Sequence, residues 1–326
     1  MNRLLLAAFV LCAHLPTSAL AEDCKPLQRY ASIPFEPDEY AQIYLPTRIA
    51  GFGTHLMLDT GAFWNVLRSD LVGQLNLPTR KSYEITMFDA SGAKIDTIAT
   101  APDFRLGDLN FGKVDFFVGG NLGGTVEGDG GVIGRNMFTR ADLEIDNASK
   151  SVSLYNPDHC AGDGVYWADE AVVLEYKRDT SNTSRPGSRI RGQISQNQID
   201  DPIVSAELQG KPVTVLFDTG ASMTSIDLEH AQRVFGIGPG SPGVVPAGKS
   251  YTGSGAEVQV YSYTFKELTI SGIRFEHVPV HLGQFGEFKQ VILGMHELKH
   301  LHMYFAFKEG RIYVTAAEAG NQQAQH

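Results

Sequence analysis

The tetrapeptide Asp59-Thr60-Gly61-Ala62 returns as Asp218-Thr219-Gly220-Ala221, and each copy closes an apolar run. The first run reads His55-Leu56-Met57-Leu58 and the second Val215-Leu216-Phe217. A single Asp-Thr-Gly is a common accident, and both turns could be no more than tight strand-loop junctions. Two copies with matching surroundings instead point to a duplicated half-site that brings two carboxyl groups together. Carboxyls in contact cannot both ionise, because the second charge is repelled at short range. One is left as a general base and the other as a general acid, a pairing suited to activating water.

The duplication extends beyond the turns. Asp59 and Asp218 are 159 residues apart, and so are Gly51 and Gly210. Gly112 matches Gly272 and Gly134 matches Gly294 at an offset of 160. The last pair ends similar strings, Gly131-Val132-Ile133-Gly134 and Val291-Ile292-Leu293-Gly294. Strand-like segments follow each: Ala141–Ile145 and Ser151–Tyr155, then His302–Ala306 and Arg311–Val314. Self-similarity at so long a period predicts two lobes rather than a solenoid.

On these two turns and two apolar-Gly strings the chain resembles the aspartic proteases. These are the two-lobed pepsin-like enzymes and the retroviral proteases that build the same site from two identical subunits. The likeness covers most of the chain and is closer to two fused retropepsin-like units of an exported bacterial type, since each half is only roughly 130 residues. It implies an all-β, bilobal fold and an aspartic endopeptidase that hydrolyses peptide bonds with Asp59 and Asp218 as catalytic dyad. A shared water would be the nucleophile, with no metal or cofactor. Thr60 and Thr219 would each reach across to the opposite lobe, while Gly61, Ala62, Gly220 and Ala221 complete the turns. Pepsin-like enzymes usually carry Ser or Thr after Asp-Thr-Gly; here both positions are alanine.

The beginning of the chain reads as a secretory signal over residues 1–21: Arg3, then an apolar run from Leu4 to Ala13, then Ala19-Leu20-Ala21 as a small-x-small cleavage site. Its apolar run is too short to span a bilayer. A periplasmic or secreted protein is expected, with an N-terminal lobe over 22–160 and a C-terminal lobe over 161–326. Neither Cys12 nor Cys24 follows the small residue of a lipoprotein signal. Removing the signal leaves Cys24 and Cys160, which suggest one disulfide in an oxidising compartment; two free thiols are the alternative. Loss of Arg3 moves the formal charge from −10 to −11. An acidic chain without a basic patch argues against nucleic acid or an anionic membrane surface as partner. The expected partner is a peptide or unfolded protein, bound by a monomer.

Short apolar or alternating runs dominate: Gln42–Leu45, Tyr83–Met87, Val114–Val118, Val213–Phe217, Val258–Tyr263 and His277–His281. Gly, Pro, Asn and Asp clusters separate them, as in a β-barrel or sandwich. Short helices are expected at Ser69–Leu75, Asp227–Phe235 and Met295–Lys299. Val173–Tyr176 matches Ile33–Glu36 as an opening strand. The polar segment 177–198, with Arg178, Arg185, Arg189 and Arg191, reads as a solvated loop inside the second lobe.

Two strings predict flaps that would cover a bound peptide, Phe88-Asp89-Ala90-Ser91-Gly92-Ala93 and Tyr251-Thr252-Gly253-Ser254-Gly255-Ala256. Ordinary turns are the alternative. Pepsin-like enzymes have one flap, with Tyr in the first lobe. Here that position is Phe88 and the Tyr lies in the second lobe, which favours two flaps. A rival motif is His296-Glu297-Leu298-Lys299-His300, which fits the zinc-protease pattern H-E-x-x-H. It sits where the repeat already places a short helix, Met303 and Ala306 stand where a third ligand would be, and only 26 residues follow. The other histidines, His55, His230, His277 and His281, lack ligand spacing and read as surface or packed residues. A third reading, a non-catalytic peptide binder on the same fold, predicts loss of an Asp or Gly from one turn; both turns are intact.

Overall fold

The computed structural model describes residues 24–83, 85–88, 94–120, 129–176, 188–190, 201–251, 257–285 and 289–317. The signal segment lies outside them.

Each lobe is a closed six-strand barrel. In the first, β1 (Ile43–Ile49), β2 (Phe52–Leu58), β3 (Val66–Arg68), β4 (Thr97–Leu106), β5 (Leu109–Gly119) and β6 (Asp129–Ile133) lie in the order β1-β2-β6-β3-β5-β4. Pairing of Thr47 with Leu106 and Ile49 with Phe104 closes the ring. In the second, β7 (Ile203–Leu208), β8 (Lys211–Phe217), β9 (Ser225–Asp227), β10 (Glu257–Ile270), β11 (Ile273–Gly283) and β12 (Val291–Leu293) repeat that order. Leu208 pairs with Leu268 to close it. Closure removes the free sheet edges that would otherwise invite association. The alternation of the strands points Leu45, Leu56, Leu67, Phe104 and Ile133 into one core and Val204, Val215, Ile226, Phe265 and Leu293 into the other.

Tight hairpins start both barrels. Ala50-Gly51 and Gln209-Gly210 have φ of 50° and 83°, and of 51° and 73°. Two consecutive left-handed residues match the twist of the flanking strands, and the glycine removes the Cβ penalty at the second position. The Gly112–Gly272 match is overturned. Gly272 turns the hairpin between β10 and β11, whereas Gly112 sits at a bulge within β5 opposite Phe104. The strand registers explain this. Val66 and Phe117 of lobe 1 correspond to Ser225 and His281 of lobe 2, so the spacing grows by five residues between them. A longer connection before Asp129 takes four of these back by Gly134 and Gly294, so the offset appears constant.

Helix α1 (Ser69–Gln74) and helix α2 (Leu228–Phe235) follow the two Asp turns, and α3 (Met295–Leu298) follows Gly294. Asp227 caps α2 by accepting from the Glu229 and His230 amides, and Gly236 ends it at φ 71°.

The barrels share a six-stranded sheet in the order Arg29–Pro34, Ser151–Tyr155, Asp142–Asp146, Leu301–Ala306, Arg311–Ala316, Val172–Glu175. Its central antiparallel pair sets Leu143 against Phe305 and Ile145 against Met303, giving an approximate two-fold between lobes. Buried Ile33 and Phe35 correspond to Leu174 and Tyr176, one residue out of step with the alignment read from the sequence. One face of the sheet joins the barrel cores. The other carries a buried polar layer in which His159 meets Asp142 at 2.9 Å and His302 meets Glu144 at 2.9 Å. Trp167 stacks on the His302 ring at 3.9 Å. A disulfide joins Cys24 to Cys160, with Cα atoms 4.8 Å apart and a sequence separation of 136.

Within the polar segment 177–198, Ser188–Ile190 forms a strand rather than a loop. It pairs antiparallel with Ile85–Phe88, setting Ser188 against Met87 and Ile190 against Ile85. The first flap strand has an open edge, and an extended backbone satisfies its unpaired groups.

Candidate active site

β2 delivers Asp59 and β8 delivers Asp218 at equivalent ends of the two barrels. The backbone of each aspartate is fixed by the neighbouring apolar-Gly strand: the Asp59 amide donates to the Ile133 carbonyl at 3.0 Å and the Asp218 amide to that of Leu293 at 3.1 Å. Each carboxylate is then held by its own turn. Ala62 N–H donates to Asp59 Oδ1 at 2.7 Å, while Gly220 and Ala221 N–H donate to Asp218 Oδ1 at 2.9 and 3.2 Å.

The threonines lock the turns together. Thr60 Oγ1 donates to the Phe217 carbonyl and Thr219 Oγ1 to the Leu58 carbonyl, both at 2.7 Å. In return each hydroxyl accepts the amide of the opposite threonine at 3.1 Å. Both threonines are buried, so these four bonds cross the lobe interface without competition from water. They bring the two carboxyl groups into hydrogen-bonding contact.

The glycines are required by space. A Cβ on Gly61 would lie 2.3 Å from Cγ of Asp218, and one on Gly220 would lie 2.4 Å from Cγ of Asp59. Gly134 and Gly294 likewise pass against the backbone of Trp64 and Met223. Asn65 Oδ1 accepts from the Gly134 amide, and Thr224 Oγ1 accepts from that of Gly294.

Burial pushes both carboxyls above the usual carboxylate range. Asp218 is raised well above it, by burial first and then by the charge and hydrogen bond of Asp59. At Asp59 burial raises the carboxyl, while the Ala62 amide, the hydrogen bond from Asp218 and the positive charge of Arg135 oppose that rise. Two buried carboxyls in contact therefore share one proton between them. Neither alanine after Asp-Thr-Gly contributes a hydroxyl to stabilise the charge.

The surroundings of the two carboxyls differ at one point that the motif does not show. Arg135 is fully buried beside the first turn, donating to the Thr60 carbonyl and to Asp201 of lobe 2. Its counterpart after Gly294 is Met295, so lobe 2 has no matching charge. The signal was available as a charged residue immediately after an apolar strand, and it differs between the two copies. Gln42 also crosses between lobes, donating Nε2–H to the Gly220 carbonyl.

The flap strings fall at hairpins: Phe88 pairs with Lys94 and Tyr251 with Glu257. Ser91, Gly92, Ser254 and Gly255 lie outside the described residues. The H-E-x-x-H pattern is not a zinc site. α3 ends at Leu298, so His300 leaves the helix and the two imidazoles do not share a helical face. Glu297 is buried and engaged by Thr224 Oγ1 and by His296 Nδ1, unable to serve as an open-site base. Its carboxylate has a structural use, tying α3 to the residue that receives the Gly294 amide.

Two family comparisons fit this geometry. A gag-polyprotein putative aspartyl protease model matches residues 45–140, and an aspartyl protease model matches residues 204–296. No curated protein matches the chain. Each match spans most of one barrel and contains one Asp-Thr-Gly-Ala turn. The chain therefore belongs to the aspartyl proteases, as two retropepsin-like lobes in one polypeptide.

Proposed function

We propose that the chain is an aspartic endopeptidase acting on extended peptide or unfolded protein, with Asp59 as base and Asp218 as acid. The observation that carries this reading is the pair of buried carboxyls held in contact by interlocked threonine turns, with the buried charge of Arg135 beside the first turn. A water between them loses a proton to Asp59 as its oxygen attacks the peptide carbonyl carbon. Asp218 gives its proton to the carbonyl oxygen, so the tetrahedral adduct forms without net charge. The proton held by Asp59 then passes to the leaving nitrogen as the C–N bond breaks, and a hydroxyl proton of the adduct returns to Asp218. Fixed donors and a dry site allow these transfers without reorganisation of solvent.

An extended substrate is supported by the first flap strand, whose edge already accepts an extended segment of the chain's own backbone. We place the enzyme outside the cytoplasm, a reading supported by the signal-like segment 1–21 and by the disulfide between Cys24 and Cys160, and as a monomer, because one chain supplies both Asp-Thr-Gly-Ala turns. Incubation with a denatured protein mixture, with and without pepstatin and with and without a chelator, tests the function. Cleavage blocked by pepstatin and indifferent to the chelator is expected. Chelator-sensitive cleavage would overturn the reading, and peptide capture without cleavage would make the chain a binder.

A further inference from the structure

One row of register-matched residues runs around the outer face of each barrel, and the two rows differ in chemistry. In lobe 1, Tyr44 pairs with Met57, Met57 with Val132, Val132 with Val66, Val66 with Phe117 and Phe117 with Ile98. In lobe 2 the same steps run Ile203, Leu216, Ile292, Ser225, His281 and Ser262. The lobe 1 row is buried and, apart from the Tyr44 hydroxyl, apolar, with Tyr44 2% and Phe117 3% exposed. Every member of the lobe 2 row is half-buried, and its last three members are polar neighbours on adjacent strands.

Both rows lie beside the dyad. Ala62 and Trp64, from the turn after Asp59, pack on the lobe 1 row, as does Ile95 of the flap hairpin. Trp64 meets Phe117 edge-on at 5.6 Å. Gln42 Nε2–H contacts Met57 Sδ and the Gly220 carbonyl together. In lobe 2, Ser225 Oγ donates to the carbonyl of Met223, which belongs to the turn after Asp218. The lobe 1 row is thus a wall between its catalytic turn and its flap hairpin, and the lobe 2 row, in the same register, starts from its own catalytic turn.

We propose that the lobe 2 wall, through Ser225, Ser262 and His281, selects an uncharged hydrogen-bonding substrate side chain (glutamine, asparagine or tyrosine), whereas the lobe 1 wall accepts apolar ones. The inference rests on the endopeptidase reading and adds its specificity. Ile203, Leu216 and Ile292 offer a surface for the stem of such a side chain, and the Ser-His-Ser end meets its tip. The imidazole of His281 and the hydroxyl of Ser262 make no hydrogen bond among the described residues, which leaves them to a ligand. Burial holds the His281 ring below its usual protonation range, so it carries no charge near neutral pH. The row has no carboxylate to pair a lysine and no cation to pair a glutamate, and an unpaired charge is expensive to desolvate. A leucine of similar size would cover the same polar atoms without satisfying them.

The test has two arms. Cleavage sites of the active protein in a proteome-derived peptide library are mapped by mass spectrometry. One subsite should favour glutamine, asparagine and tyrosine about tenfold over leucine, isoleucine and valine, the effect of one hydrogen bond lost against a polar wall. The triple variant Ser225→Val, Ser262→Ile, His281→Phe gives lobe 2 the residues of lobe 1 and should lose that preference, while His281→Gln should keep part of it. Should the triple variant not fold, His281→Leu alone must reduce the preference. The second arm needs no hydrolysis: matched peptides differing only as glutamine or leucine are titrated onto the Asp218→Asn protein, and the glutamine peptide should bind about tenfold tighter. If the endopeptidase reading fails, the first arm is silent and the second still decides. Equal affinities, no peptide binding, or an unchanged profile in the folded triple variant would overturn the proposal.

Discussion

Adding one methyl group at Gly61 should disable the proposed peptide hydrolysis while leaving most of the fold in place. The new Cβ would stand 2.3 Å from Cγ of Asp218 and 2.4 and 2.6 Å from its oxygens. Carbon atoms pack at about 3.5 Å or more, so the carboxyl and the turn must separate by about 1 Å. Gly61 does not have a left-handed φ, so the substitution acts through space rather than backbone strain. Overpacking of this kind costs about 1–3 kcal/mol of stability. The larger effect falls on the chemistry, because a misplacement of about 1 Å between reacting groups lowers rate by roughly a hundredfold. Gly61→Ala should therefore lose kcat on a peptide substrate by about that factor, with a modest fall in Tm. Gly220→Ala, whose Cβ would meet Asp59 at 2.4 Å, should behave alike. Gly53→Ala, on β2 with nothing within 4 Å of its Cβ, is the control and should keep full activity. A folded Gly61→Ala protein with kcat close to that of wild type would refute the close approach of the two turns.

Further expectations concern pH. Arg135→Met, which copies lobe 2, removes the positive charge that favours ionised Asp59, so the acid limb of the kcat/KM profile should move toward neutral; an unmoved limb in folded protein would exclude Arg135 as a charge acting on the dyad. Ala62→Ser with Ala221→Thr adds hydroxyl donors at the dyad and should move the same limb acid-ward, from a wild-type optimum expected to be mildly acidic to near neutral; an optimum near pH ~2 in wild type would contradict the argument. In the buried layer under the shared sheet, burial lowers the His159 pKa, yet the hydrogen bonds to Asp142 and the Cys160 carbonyl outweigh it and leave the value raised. A raised value contributes stability that is full below the unfolded histidine range near ~6.5 and is lost as pH rises through the folded value. The Tm should accordingly fall across that window, and less so in His159→Gln, as thermal melts over a pH series will show.

The parts legible in the sequence are those set by local chemistry. Asp-Thr-Gly turns, apolar runs and the short helices at Ser69, Leu228 and Met295 depend on neighbours within a few residues, and these segments form within a residue or two of the positions expected. Register is a different matter. Gly112 and Gly272 share an offset by coincidence, since an insertion before Phe117's counterpart is offset by a longer loop before Asp129. Ser225, His281 and Ser262 are scattered in sequence and form a wall only through strand pairing. The pairing of Arg135 with Asp201 crosses between lobes, which no local pattern encodes. The H-E-x-x-H string shows the converse: spacing suited to a helical metal site is void where the helix ends after four residues.

The central claim is that Asp59 and Asp218 act as one proton-sharing pair. Hydrolysis of a peptide substrate by Asp59→Asn, Asp218→Asn and His296→Ala, each checked for folding by its Tm, tests it most directly. Either Asn variant should abolish turnover, because each removes half of the acid–base pair, and His296→Ala should retain substantial activity. Turnover surviving in a folded Asp59→Asn or Asp218→Asn protein, with loss in His296→Ala, would contradict the account.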